Sequence, residues 1–94
     1  MRKKRYMEWV REYPEYLVIR KEGYFYTVRD DAAELISGLV GYRTGKAYGH
    51  IVTGSPSLKK ILVALEDSEI NYIIIEDNQI VEMKNYRNVH KQEE

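Results

Sequence analysis

Cysteine is missing from this 94-residue chain, histidine occurs twice, proline twice and phenylalanine once, and the formal charge sums to zero. Without cysteine there is no disulfide framework, no thiolate zinc site and no cysteine nucleophile. Stability must come from packing, and a reducing cytoplasm is the default compartment. The two histidines, His50 and His90, are isolated and show no HxxxH or HExxH spacing, so a zinc centre with its three or four ligands is not expected. No apolar run approaches the ~20 residues of a membrane helix. The basic start MRKKRYMEW lacks the apolar stretch of a secretory signal. Zero net charge also argues against a strong, nonspecific nucleic-acid binder, which is normally basic.

The charge that is present is unevenly spread. Residues 1–46 hold ten Lys/Arg against seven Asp/Glu, and residues 47–94 hold five against eight. The 44% hydrophobic and 32% charged content is that of an ordinary globular domain. The length suits one modest core. Residues 1–86 read as a single domain and residues 87–94 as a polar tail.

Taken in order, Arg2 to Arg5 form a basic arm expected to fray. Tyr6, Trp9, Val10 and Tyr13 then fall at helical spacing, and Pro14 ends that helix. Tyr16 to Arg20 and Tyr24 to Val28 read as strands joined through Lys21-Glu22-Gly23, a tight hairpin with Gly23 at positive φ. Alternation places Tyr24, Tyr26 and Val28 on the core face and Phe25, Thr27 and Arg29 on the other. Asp31, with Glu34 three positions on, reads as the cap of a second helix striped by Ala32, Leu35, Ile36, Leu39 and Val40. Its left-handed end falls at Gly38 or Gly41.

A loop over residues 42–46 leads to a strand from Ala47 to Thr53. Ser55-Pro56 then has the composition of a helix start, with Leu58, Ile61, Leu62 and Leu65 buried. Residues 71–75 form a β-branched run suited to a strand covered on both faces. Asp77-Asn78 turns into a last strand, Ile80 to Met83. The order α-β-β-α-β-α-β-β defines a mixed-sheet α/β sandwich.

Catalytic chemistry is not legible. Gly41-Tyr42-Arg43-Thr44-Gly45-Lys46 has three residues between its glycines where a phosphate loop has four, and alanine follows its lysine. In the carboxylate cluster Asp30, Asp31 and Glu34, capping explains Asp31 and Glu34, and Ser55 and Ser57 lack a base. No catalytic residue, metal or cofactor is assigned. Binding chemistry remains. Trp9, Tyr13, Tyr26 and Tyr72 are assigned to core, whereas Phe25, Tyr42 and Tyr48 stand beside Arg29, Arg43 and Lys46. An exposed aromatic among cations suits stacking on bases, with the cations on phosphates.

Pro14-Glu15, Leu17 to Gly23, Phe25-Tyr26, Asp30-Asp31-Ala32 and Gly54-Ser55-Pro56 together resemble the N-terminal mismatch-recognition domain (domain I) of the MutS family. The resemblance spans residues 6–82. It implies a mixed α/β sandwich whose phenylalanine, matched by Phe25, enters the minor groove and stacks on a mispaired base. The family's glutamate two positions later is Thr27 here, and Tyr24 replaces an aspartate. The implied function is a non-enzymatic module contacting double-stranded, mispaired or distorted DNA through Phe25, Thr27, Arg29, Arg43 and Lys46. The alternative is a protein–protein interaction module with Phe25 as its anchor. A nuclease relative is disfavoured for want of a metal-binding carboxylate set.

Overall fold

The computed structural model describes residues 2–87. A six-stranded mixed sheet, ordered β3-β4-β2-β1-β5-β6, carries helices on both faces. The expected order of elements is present, with one addition. The elements are α1 (Tyr6–Glu12), β1 (Leu17–Glu22), β2 (Phe25–Arg29), α2 (Asp31–Val40), β3 (Gly45–Ala47), β4 (His50–Ser55), α3 (Lys59–Asp67), β5 (Tyr72–Glu76) and β6 (Gln79–Lys84). The addition is β3, a three-residue edge strand that takes the end of the expected loop together with Ala47. The strand expected from Ala47 to Thr53 is interrupted by a turn at Tyr48-Gly49 and runs instead as β4 to Ser55. Only the β1–β5 pair is parallel.

Strand alternation sorts the core into two layers. Ile19, Val28, Tyr72 and Ile74 pack against Ala33 and Ile36 of α2 and Ile61 and Leu65 of α3. On the other face, Val18, Ile73 and Ile75 pack against Tyr6 and Trp9 of α1. β5 is therefore buried on both faces, which its β-branched run requires. The second layer takes no residue from β2, β3 or β4, so α1 covers only half of its face.

Three local readings are corrected. The β1–β2 turn is Gly23-Tyr24, because the ladder continues to the Glu22–Phe25 pair. Gly23 has φ +64 and Tyr24 does not share the sign, as a glycine-first type II′ turn requires. Tyr24 is consequently exposed at the hairpin tip and not in the core. The residue preceding α2 is Asp30, and its side chain makes no cap; it is drawn to His50 and Ile51. Ser55 stays in β4, paired with Tyr26, and α3 begins at Lys59, whose N–H donates to Ser57 Oγ.

Other expectations hold. Gly41 ends α2 at φ +79, Asp77 and Asn78 both take positive φ in the β5–β6 turn, and α1 stops before Pro14. The arm does not fray from Lys4 onward: Lys4 N–H donates to Asn78, and its carbonyl accepts from Arg20. No helix among the described residues is long and apolar enough to cross a membrane. His90 and nearly all of the 87–94 tail lie outside the described residues.

Candidate nucleic-acid interface

Phe25, Thr27 and Arg29 alternate along β2 with Tyr26 and Val28, which face the α2–α3 core. The three therefore lie on the opposite face, where Tyr6 of α1 reaches Arg29 but the hairpin end at Phe25 is left uncovered. Phe25 is 51% exposed at the hairpin end. Across the ladder Gly54 faces Thr27 and Val52 faces Arg29. A Cβ on Gly54 would sit 2.6 Å from the Tyr26 carbonyl oxygen, so glycine permits this close approach of strands.

Glu22 organises the polar part of this face. One of its carboxylate oxygens accepts from Arg20 (3.1 and 3.0 Å) and from the Thr27 hydroxyl (2.8 Å), and Arg29 lies 3.5 Å away. Burial pushes the Glu22 pKa up, but the Thr27 and Arg20 hydrogen bonds and the two guanidinium charges outweigh it, and the net shift is downward. The carboxylate is held ionised beside Phe25, its cross-strand partner. The single proton of Thr27 has two acceptors in reach, Glu22 and the Arg20 carbonyl at 3.0 Å. Its donor is committed within the fold, leaving it only acceptor capacity towards a ligand.

Arg20 and Arg29 flank the ring of Tyr6, at 5.9 and 5.4 Å from its centroid. Tyr6 donates to the Val18 carbonyl (2.6 Å) and accepts from the Arg29 N–H (3.2 Å). Burial dominates and pushes its pKa up to about 12, so the phenol stays neutral. Arg29 is thus a mostly covered cation with a fixed guanidinium.

The remaining expected contacts are scattered. Arg43 is exposed, and its carbonyl accepts from buried Thr53. Lys46 is exposed on β3 but pairs with Ile51, a residue of the α2–α3 core, so alternation points it away from the Phe25 face. Tyr42 packs against the core and is not a free contact. Tyr48, in contrast, is 91% exposed. It occupies the β3–β4 turn at φ +53, ahead of Gly49 at φ +78, a left-handed conformation unfavourable for a bulky side chain.

The contributions of Arg20 and Glu22 were hidden in the sequence, where both read as charged hairpin residues. Their signal is register: a two-residue turn at Gly23-Tyr24 forces Glu22 opposite Phe25 and Arg20 opposite Thr27.

A second polar pair sits at the far end of β2. Asp30, at φ 53 and ψ −123, places its carboxylate 2.8 Å from His50 Nδ1 and 3.2 Å from the Ile51 N–H. Among the described residues no group of three or more His, Cys, Asp or Glu side chains could hold a metal ion. The chain matches no family model and no curated protein sequence.

Proposed function

We propose that this chain is a non-enzymatic nucleic-acid-binding module, contacting mispaired or distorted DNA through Phe25 in the manner that its resemblance to MutS domain I implies. The observation that carries the reading is the position of Phe25. A large apolar ring stands half-exposed on an uncovered sheet face, with an ionised carboxylate and two fixed guanidiniums beside it. A stacking ring of this kind gains about 1–3 kcal/mol per base. Glu22 supplies acceptor capacity next to the ring where Thr27 has replaced the family's glutamate.

The test is a titration of labelled homoduplex, mismatched duplex and single strand against wild type and Phe25→Ala at low and moderate salt. Mismatch preference that disappears in Phe25→Ala supports the reading. Equal binding of all three ligands by both proteins overturns it.

A protein-docking function is the second reading, favoured by a different surface. Leu39 and Val63, on α2 and α3, are 42% and 50% exposed, and Val81 and Met83 are exposed on edge strand β6. No nucleic-acid binding at ~50 mM salt, where phosphate contacts are least screened, would transfer the function to these surfaces.

A further inference from the structure

Between the N-terminal arm and the uncovered half of the sheet lies a cleft of about 350 Å³. Lys3, Lys4 and Arg5 line it from the arm, Arg20 and Arg29 from β1 and β2, and Tyr48 from the β3–β4 turn. Five basic residues from three separate segments line one hollow in a chain whose net charge is zero. We infer that this cleft is a phosphate site, holding a phosphate group of a nucleic-acid strand that lies along β2 from Phe25. The identity of the strand rests on the proposed function; the phosphate chemistry rests on the cleft itself.

The carboxylates around the cleft are already engaged. Glu22 holds Arg20 and Arg29 in place, Glu12 pairs with Lys4, and Glu8 is taken by Arg2 and the Arg5 N–H. At the far end of β2, Asp30 is bonded to His50. No salt-bridge partner is found for Lys3 or Arg5 among the described residues. Lys4 is sandwiched between Glu12 and the Trp9 ring, 4.3 Å from its centroid. The cleft therefore combines preset guanidiniums at its wall with Lys3 and Arg5, which make no salt bridge among the described residues, at its rim. The carboxylates near these two are Glu8 beside Arg5, and Glu76 and Asp77 on the far side of Lys3.

The arm is also positioned in advance. Its backbone is tied at Lys4 to Asn78 and to Arg20, at opposite ends of the same residue. Ordering Lys3 and Arg5 over the cleft thus costs less than ordering a free tail. Tyr48 adds an independent sign. The turn holds a tyrosine in a left-handed position where asparagine or glycine is favoured, and this residue, 91% exposed, lines the cleft.

The spacing fits a strand. Phe25 and Arg29 are four residues apart on β2, about 14 Å at ~3.4 Å per residue. Stacked nucleotides also advance about 3.4 Å each along one strand, so a base on Phe25 and a phosphate in the cleft belong to nucleotides roughly four steps apart.

The experiment is an amide NMR titration of the whole chain with inorganic phosphate, and separately with a twelve-nucleotide oligothymidylate and a duplex of matching length. It is run on wild type, Phe25→Ala, Lys3→Ala/Arg5→Ala and Tyr48→Asn. Lys3 and Arg5 are exposed, and Tyr48→Asn puts a favoured Asn-Gly pair in the turn, so these variants keep the fold. Shifts confined to the arm, Arg20, Arg29 and the Tyr48 turn are expected with phosphate, and the same shifts together with those of Phe25 and its β2 neighbours with oligonucleotide. Lys3→Ala/Arg5→Ala should weaken oligonucleotide binding about tenfold at ~50 mM salt and flatten the salt slope by roughly 1 to 2. Tyr48→Asn should weaken it less and leave the slope unchanged.

Phosphate shifts without oligonucleotide binding would keep the cleft as a phosphate site and remove the nucleic-acid reading. Oligonucleotide binding that depends on Phe25 but ignores Lys3 and Arg5, with no phosphate response, would overturn the cleft alone. Silence from every probe would overturn both.

Discussion

The hydroxyl of Thr27 lies 2.8 Å from a carboxylate oxygen of Glu22, across the β1–β2 ladder. A negative charge thus stands one strand away from Thr27, and Phe25 is the residue paired with its bearer. The same carboxylate orients Arg20 and Arg29, so one side chain fixes both the acceptor and the cations of this face.

Glu22→Gln separates these roles. The loss of charge should release Arg20 and Arg29 towards a ligand, raising general affinity for oligonucleotides while reducing any preference among base edges. Because the Glu22 pKa is lowered in the folded state, its contribution to stability is complete above the unfolded value of about 4.3 and is lost as pH falls through the lower folded value. Denaturant melts of wild type and Glu22→Gln should differ at neutral pH by about 1 kcal/mol or less, given the solvent access of the pair, and converge as pH falls below the folded value. A difference that persists or grows in acid would show that Glu22 acts through packing and not through its charge.

Phe25 and Ile19 give opposite outcomes on substitution by alanine. Ile19 is wholly buried in the larger core layer, and its truncation should cost about 2–5 kcal/mol. Phe25 belongs to neither layer, so Phe25→Ala should leave stability within about 0.5 kcal/mol while weakening nucleic-acid binding by about 1–3 kcal/mol. Thermal melts paired with anisotropy titrations read both. A large loss of stability in Phe25→Ala would identify the ring as core.

The architecture was legible because its signals are local. The α2 helix, the β5 run and the alternation in β2 each follow from the residues inside one element. The buried residues of α2 are nevertheless Ala33 and Ile36, whereas Leu35 and Leu39 of the expected stripe are 40% and 42% exposed. What was hidden depends on partners far along the chain. Asp30 has the composition of a cap, but His50 and Ile51, brought beside it by the β2–β4 ladder, compete for its carboxylate. Ser55 likewise resembles a cap until pairing with Tyr26 keeps it in a strand. β3 has no hydrophobic pattern of its own and exists because β4 offers an open edge. Of the expected contact residues, Phe25, Thr27 and Arg29 share a face by parity alone. Lys46 was misjudged because its parity belongs to a strand not visible in the sequence.

Gly54 sets how flush β4 lies against β2. In Gly54→Ala the new methyl meets the Tyr26 carbonyl oxygen at 2.6 Å and Thr27 Cγ2 at 3.2 Å, and the backbone atom cannot swing aside. Forced separation of central strands of this kind costs about 1–3 kcal/mol. The midpoint of urea denaturation should fall accordingly with an unchanged slope. Because the displaced strand carries Thr27, the phosphate and oligonucleotide shifts of neighbouring residues should change as well. An unperturbed midpoint would mean that the ladder relaxes freely at this point.

The pairing of Asp30 with His50 fixes a proton. Hydrogen bonding to His50 is the main influence on the Asp30 pKa and lowers it; desolvation opposes this, the Ile51 N–H adds to it, and the net shift is downward, so Asp30 is ionised at neutral pH and can only accept. The proton between them must therefore sit on His50 Nδ1, which makes Nε2 the lone-pair nitrogen whenever the ring carries a single proton. Nitrogen-15 spectra of the imidazole should show the Nδ1-protonated tautomer, the minor form of free histidine in water. Asp30→Ala should return the ring to the common Nε2-protonated form and relieve none of the backbone strain at φ 53, since alanine is no better suited to it than aspartate. Asp30→Gly makes the complementary comparison: it loses the same hydrogen bonds but relaxes the backbone, so it should be the more stable of the two. Equal stability of the two variants would show that the left-handed geometry at position 30 carries no strain, and an Nε2-protonated ring in wild type would dissolve the pair.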